Sequence, residues 1–354
     1  MKSKLLYLTL ILILLNTASF GEVFKGGSFS LSGTYKFSYD DNVLRYSKRD
    51  YDNARNGTES TPSPTETLDD IRSDFKLSAT YRFKILNRSG RFGASGNFGH
   101  YLFNSFKNFG WASIYYKQKL VDKINIQVSH FYEPYYFLRD YLDVQTNSRE
   151  HCDFAMTKSV GKLYYRPIKM FEIAPYYEFK RYSYNEYFTE YDGDRIGIGV
   201  EGIFRKGPWR VALDYSFGTY DNLGFDSESL FPSGVDTEDS ETGDGDYEED
   251  SYNFSIFYSL KILDLKSRIK VEETINDRYY MTERLPADDP IHHGRNDLVF
   301  TSKVSMEMKL SKRLEIEIGT TIYKRDSEGS SPLIPKVKNY SRKVAWLEFS
   351  YDLI

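Results

Sequence analysis

The sequence predicts an all-β fold, a transmembrane antiparallel up-and-down β-barrel of about fourteen strands. Three observations carry this. Stretches of mostly 10 to 14 residues alternate apolar and polar side chains along nearly the whole chain. Short turns and long polar loops alternate between those stretches. Aromatic residues gather on the apolar parity at both stretch ends. Strict alternation marks a strand with one greasy and one polar face. Soluble strands average about 5 to 6 residues, whereas a bilayer-spanning strand needs about 9 to 11. Mean hydropathy of -0.55 is no objection, because a barrel averages its two faces.

The chain of 354 residues opens with Lys2 and Lys4 and then an apolar run at 5–15. Ser19 and Gly21 supply small residues before Glu22, so residues 1–21 read as a cleaved signal peptide and 22–354 as the exported domain. The run is too short for a spanning helix, and no later stretch reaches about 18 apolar residues. Only 22–27 precede the first strand, so no N-terminal plug is expected.

The first strand, 28–39, sets Phe29, Leu31, Tyr35, Phe37 and Tyr39 against Ser28, Ser30, Ser32, Thr34, Lys36 and Ser38. A long loop at 40–70 follows. The second strand, 73–84, repeats the design and ends at the tight turn 86–89. Further strands are expected at 91–103, 110–120, 124–132, 153–166, 171–179, 195–204, 209–217, 252–260, 267–279, 298–310 and 313–322. Short turns fall at 121–123, 167–170, 205–208, 262–266 and 311–312; longer loops fall at 104–109, 139–152, 183–191, 221–247, 281–295 and 325–339. Outer-membrane barrels show this asymmetry, with short periplasmic turns and long extracellular loops. Phe83, Phe92, Phe171, Phe204 and Trp209 would form one aromatic belt, and Tyr39, Phe217, Tyr252 and Phe300 the other.

The last strand, 345–354, places Leu347, Phe349, Tyr351 and Leu353 on its apolar parity. An exposed edge of this kind invites aggregation. It is expected to close the barrel by pairing with 28–39, beside Phe29, Leu31 and Tyr35. Taken together, the signal, the alternating strands, the loop asymmetry and this terminal strand resemble bacterial outer-membrane β-barrel proteins across the mature length. The resemblance is to the class; about fourteen strands is the size of plugless monomeric porins and of long-chain fatty-acid transporters. It implies handling by the barrel assembly machinery and contact with outer-membrane lipid and lipopolysaccharide in a Gram-negative-type cell. Such proteins often end on an aromatic residue; here Ile354 stands instead.

A pore's chemistry is its lining. The inward parity assigns Lys36, Arg72, Lys76, Arg82, Lys84, Lys117, Glu178, Arg195, Glu201, Arg210, Asp214, Lys270, Glu272, Lys303, Glu315 and Glu317 to the lumen. A charged, mildly anion-favouring constriction and a closed network of ion pairs are both compatible with that set. At the mouth, Phe131, Tyr135 and Phe137 share the inward parity provided Pro134 does not shift it, and stacked rings there suit sugar faces or apolar solutes. The segment 221–250 holds many carboxylates and no Lys or Arg. Asp244, Asp246 and Glu248 begin like a calcium loop but lack its later glycine and glutamate, so a solvated acidic loop is the expectation.

The net charge of -4 gives no footprint for nucleic acid. The single Cys152 excludes a disulfide framework. His151, Cys152 and Asp153 are adjacent, but neighbours on a strand point to opposite faces, so no catalytic set is expected, and no metal or other cofactor. The function expected is a porin-like channel for passive diffusion of small hydrophilic solutes. The alternatives are a non-conducting adhesin or scaffold acting through its loops, and an outer-membrane enzyme or lipid-handling barrel.

Overall fold

The structure is a computed structural model that describes residues 27–57, 66–85, 87–143, 148–224 and 244–354. The expected signal peptide and most of the acidic loop lie outside the described residues. Fourteen antiparallel strands run in chain order: β1 Ser28–Asp40, β2 Asp70–Ile85, β3 Arg88–Tyr101, β4 Phe109–Val121, β5 Ile124–Asp143, β6 Ser148–Ile168 and β7 Phe171–Tyr184. They continue as β8 Gly193–Lys206, β9 Trp209–Asp221, β10 Tyr247–Ile262, β11 Leu265–Tyr280, β12 Asn296–Lys309, β13 Leu314–Glu328 and β14 Tyr340–Asp352. Each pairs with its sequence neighbours, and β1 pairs with β14 to close the barrel. Closure satisfies every edge, the condition for backbone in a bilayer.

Alternation does what the sequence reading required of it. Ile198 and Leu213, on the outer face, are each 60% exposed, whereas the inward Ser38 and Asp40 are 1% and 2% exposed. An apolar surface of this extent, wrapped all round a closed barrel, suits hydrocarbon and not water. At the seam, Phe349 lies opposite Tyr35 and Leu347 opposite Phe37, while Tyr351 meets Gly33. The pairing of first and last strands is therefore as expected, with neighbours differing from those read off the sequence. Leu353 donates its backbone N–H to the carbonyl of Leu31 at 2.8 Å and so extends the seam past the strand end.

One belt aromatic departs from expectation. Phe83 has the outward register but is only 6% exposed. It lies opposite Gly90, whose missing side chain leaves room for the ring to fold over the neighbouring strand between Tyr81 and Tyr116. The β10–β11 turn is the tight two-residue kind, with Leu263 at φ 50° and Asp264 at φ 63°. That backbone matches the right-handed twist of the two strands.

Strands spaced about 4.8 Å apart and tilted about 40° give a fourteen-strand barrel a backbone radius of about 14 Å. Eight strands leave room only for side chains, and 16 to 18 leave an aqueous channel. What fills this intermediate bore is decided by the loops. The segment after β1 turns inward and forms helix α1, Lys48–Asn56, which starts where Ser47 Oγ accepts from Asp50 N and stops at Gly57, φ 66°. Val43, Leu44 and Tyr46 of this segment are buried with Tyr101 and Phe137 of the wall. A second short helix, α2 (Ile334–Lys338), enters from the loop between β13 and β14 and also buries Ile334 and Val337.

Side-chain hydrogen bonds fix this cap. Asn42 donates to the carbonyls of Tyr46 and Ser341, at 2.9 and 3.0 Å, tying the loop to β14. Arg139 donates to the carbonyls of Leu44 and Arg45. Asp70, 1% exposed, accepts from the backbone N–H of Leu102, Phe103 and Asn104 and from the Asn104 amide, and so anchors the β3–β4 loop. Two loops thus fold into one end of the lumen.

Candidate functional site: the lumen and its loop-end chamber

All sixteen charged residues assigned to the lumen stand on inward register positions of their strands. The structure gathers them into pairs and small groups along the wall. Lys162 meets Glu201 at 2.9 Å, and Lys303 meets Glu272 at the same distance. Lys270 bridges Glu307 and Glu317 at 2.6 and 2.8 Å, with Glu315 one register step away toward the turn end. Arg195 joins Glu178 and Glu249, and Arg72 joins Asp74. Asp214 accepts from Tyr176 and Asn253. Others lie on rings: Lys36 over Trp346, Lys76 over Trp111, Lys117 over Tyr164 and Arg210 over Phe257. Arg82, Lys84 and Lys117 line the turn-end opening with Arg91 and Lys119.

These contacts also report the state of the bore. The ion pairs and ring contacts just named between different strands, with Tyr182 against Tyr220 and Lys303 against Trp346, each join strands one or two places apart. None spans the lumen. The charge is thus paired along the wall by contacts of short reach.

The mouth aromatics are a correction. The bulge after Glu133 sets Pro134 and Tyr135 against a single residue of β6, and a second irregularity falls at Leu138. A bulge adds one residue to one strand and so switches the parity beyond it. Phe131 faces the lumen opposite Lys158. Tyr135 lies opposite Gly110 and donates its hydroxyl to the carbonyl of Phe106. Phe137, 2% exposed, is core of the cap, edge-on to Phe106 and His151. The three do not share a face; Tyr136 takes the inward place, beside Phe154.

The bulges help build a feature that the parity assignment missed. Beneath the cap lies a cavity of about 390 Å³. Seven of its lining residues are Arg or Lys, nine are Tyr and none is Asp or Glu, so an ion crossing here meets one sign of charge. Four cations are partnered from behind: Arg278 by Glu249 at 2.7 Å, Arg295 by Asp297 at 2.6 Å, Arg325 by the same Asp297 at 4.0 Å and Arg139 by Asp50 at 4.0 Å. Arg278, Arg295 and Arg325 lie over Tyr247, Tyr280 and Tyr340 at 4.0, 4.4 and 5.0 Å, within cation–π range.

Arg45 and Lys107 are held differently. Arg45 donates from Nη2 to the Tyr136 hydroxyl at 2.6 Å, and Lys107 Nζ donates to the carbonyl of Phe137 at 3.2 Å. Among the described residues neither has a carboxylate within 4 Å. Burial, and after it the charges of Arg45 and Arg342, push the Lys107 ammonium well below the usual lysine range. None of the seven cations was assigned to the lumen from sequence. Four sit in loops and one above the bulges, where alternation carries no information; the visible hint was the apolar Val43-Leu44 inside a polar loop.

His151 and Cys152 do not converge: Cys152 lines the cavity, while His151 binds Asp140 from the other face. In the β11–β12 loop, Asp289 accepts from His292 N and Asp244 N and shares a hydrogen bond with His292 Nδ1. Burial pushes this carboxyl up, but those bonds and the His292 charge outweigh it and hold it below its usual range. A carboxyl depressed in the folded state stabilises fully above its unfolded pKa and loses that contribution as the pH falls through the folded value. The loop 281–295 is therefore expected to loosen below about pH 4. Pepsin cleavage within it should be slow at about pH 5 and fast at about pH 2.5, and Asp289→Asn should be cut rapidly at both.

A closed fourteen-strand barrel, apolar outside and charged within, defines a transmembrane β-barrel. No protein-family model matches the chain, and no curated protein matches it. Solved structures with similar folds include a bacterial polysaccharide outer membrane secretin, 7% identical, with 91% of this chain and 98% of that one covered and a TM-score of 0.45. Others are an anion-selective porin from Comamonas acidovorans (10%, 92% and 100%, 0.44) and the outer membrane protein OprD from Pseudomonas aeruginosa (10%, 94% and 95%, 0.37). At these identities and scores the likeness goes no further than barrel architecture.

Proposed function

We propose that this chain is a channel of a bacterial outer membrane through which small hydrophilic solutes and ions cross passively, with a preference for anions. The observation that carries this reading is the bore itself. Its wall is charged and paired along the wall by contacts of short reach, and it ends in a chamber lined by cations and tyrosines with no acid among them. The short-turn end faces the periplasm and the loop end the exterior, as in barrels of this class. Residues 1–21 direct export, and the assembly machinery and outer-membrane lipid are the partners this reading entails. We infer no enzymatic role, because Cys152 lines the cavity while His151 binds Asp140 on the other face.

A second reading, a non-conducting barrel acting through its loops, is favoured by one observation, the packed cap over the mouth. Refolded protein in planar bilayers separates the two. Stable unit conductance steps, reversing on the anion side in a salt gradient, are the expected result. Persistent silence from protein that is folded, judged by a heat-modifiable gel shift and β-type circular dichroism, favours the second reading.

A further inference from the structure

We propose that the loop-end chamber binds a small organic anion built on a ring, an aryl or sugar ring bearing phosphate or carboxylate, with its charged group between Arg45 and Lys107. The proposal rests on the channel reading only for the route by which the ligand arrives. Three observations support it. The cavity volume of about 390 Å³ is that of a small-molecule site and far exceeds what one inorganic ion needs. Lys107 is 9% exposed, and the contacts it makes are one carbonyl and the Tyr136 and Phe137 rings, with no carboxylate within 4 Å among the described residues. An ammonium has three N–H groups to place, and burial without a counter-charge disfavours the charged form, so an anion seated here supplies the missing partner and favours that form.

The third observation is the division of the wall. Strands β6, β7, β9 and β10 supply Phe154, Tyr182, Tyr184, Tyr220 and Tyr247, packed ring to ring at 4.9 to 5.9 Å. Arg45 and Lys107 enter from the β1–β2 and β3–β4 loops, on the other side of the barrel order. A ligand with a charge at one end and a ring at the other meets both walls: oxygens to the cations, ring to the tyrosine faces and hydroxyls. Aryl and sugar rings share this chemistry, and the test separates them.

Isothermal titration of the folded protein in detergent reads binding without conduction. The probes are 4-nitrophenyl phosphate, glucose 6-phosphate, inorganic phosphate and glucose. Saturable one-to-one binding of at least one ring phosphate is expected, at least about tenfold tighter than inorganic phosphate and absent for glucose. The ring phosphate bound more tightly identifies the ring class. Lys107→Met and Arg45→Gln, both in loops, should each weaken binding at least about tenfold, the scale of a charge-assisted hydrogen bond. Flat heats for both ring phosphates, equal affinity for inorganic phosphate, or unchanged binding by both folded variants would overturn the proposal. A silent barrel that binds leaves the proposal standing and removes the channel reading; a conducting barrel with flat heats removes the proposal alone.

Discussion

Replacing Arg45 and Lys107 together with glutamate is expected to convert an anion-preferring channel into a cation-preferring one. The chamber cations with acids behind them, Arg139, Arg278, Arg295 and Arg325, contribute less field, because Asp50, Glu249 and Asp297 offset part of their charge. Arg45 and Lys107 have no such acid among the described residues, so their exchange changes the sign of the charge a passing ion feels. At about 4 Å and an effective dielectric of about 20, one unit charge contributes about 4 kcal/mol. A barrier difference of only about 1.4 kcal/mol already changes a permeability ratio tenfold. The reversal potential in a salt gradient should therefore change sign. Lys76→Glu, on the wall beside Trp111, should move it in the same direction but by less. An unchanged sign in the double variant would place the selectivity elsewhere in the lumen.

Asp40→Asn is expected to destabilise the folded barrel by about 3 to 5 kcal/mol, the cost of stranding a buried charge. Arg342 of β14 grips the Asp40 carboxylate of β1 through Nε at 2.9 and 3.0 Å and through Nη2, with side-chain exposures of 8% and 2%. These residues are 302 positions apart. Their pairing belongs to the seam that joins the two chain ends, the most non-local contact in the fold, where loop-closure entropy is largest. The folded band in unheated gels should be lost at lower temperature or lower denaturant than in the parent. Adding Arg342→Met should restore much of the loss, since replacing both partners removes the stranded charge. A double variant no better than the single would show that the pair is not the source of the effect.

The barrel was legible because lipid imposes a rule on every second residue. Phe37, Ile198 and Leu213 had to face outward whatever their neighbours were, and fourteen strands followed from repeating that rule. Phe83 broke it because Gly90 across the ladder offered a fold for the ring, and no single-strand pattern records what stands opposite. The chamber was not legible for a related reason. Arg45 and Lys107 sit where the chain has left the sheet, and their positions are set by Tyr136, Phe137 and the Asp70 anchor, contacts 30 to 91 residues distant. Pro134 did announce its bulge, but the direction in which the parity moved depended on how β6 accommodated it.

That bulge has a consequence for how such a protein changes over time. Below Glu133, a single inserted residue turns every lipid-facing side chain toward water, and the strand tolerates no drift in length. Above it, β5 has already slipped twice against β6, and its later residues serve the chamber and the cap packing as well. Substitutions and small insertions there can retune what the mouth admits without disturbing the part that the membrane inspects. The strand is one piece of chain under two separate selections, joined at Pro134.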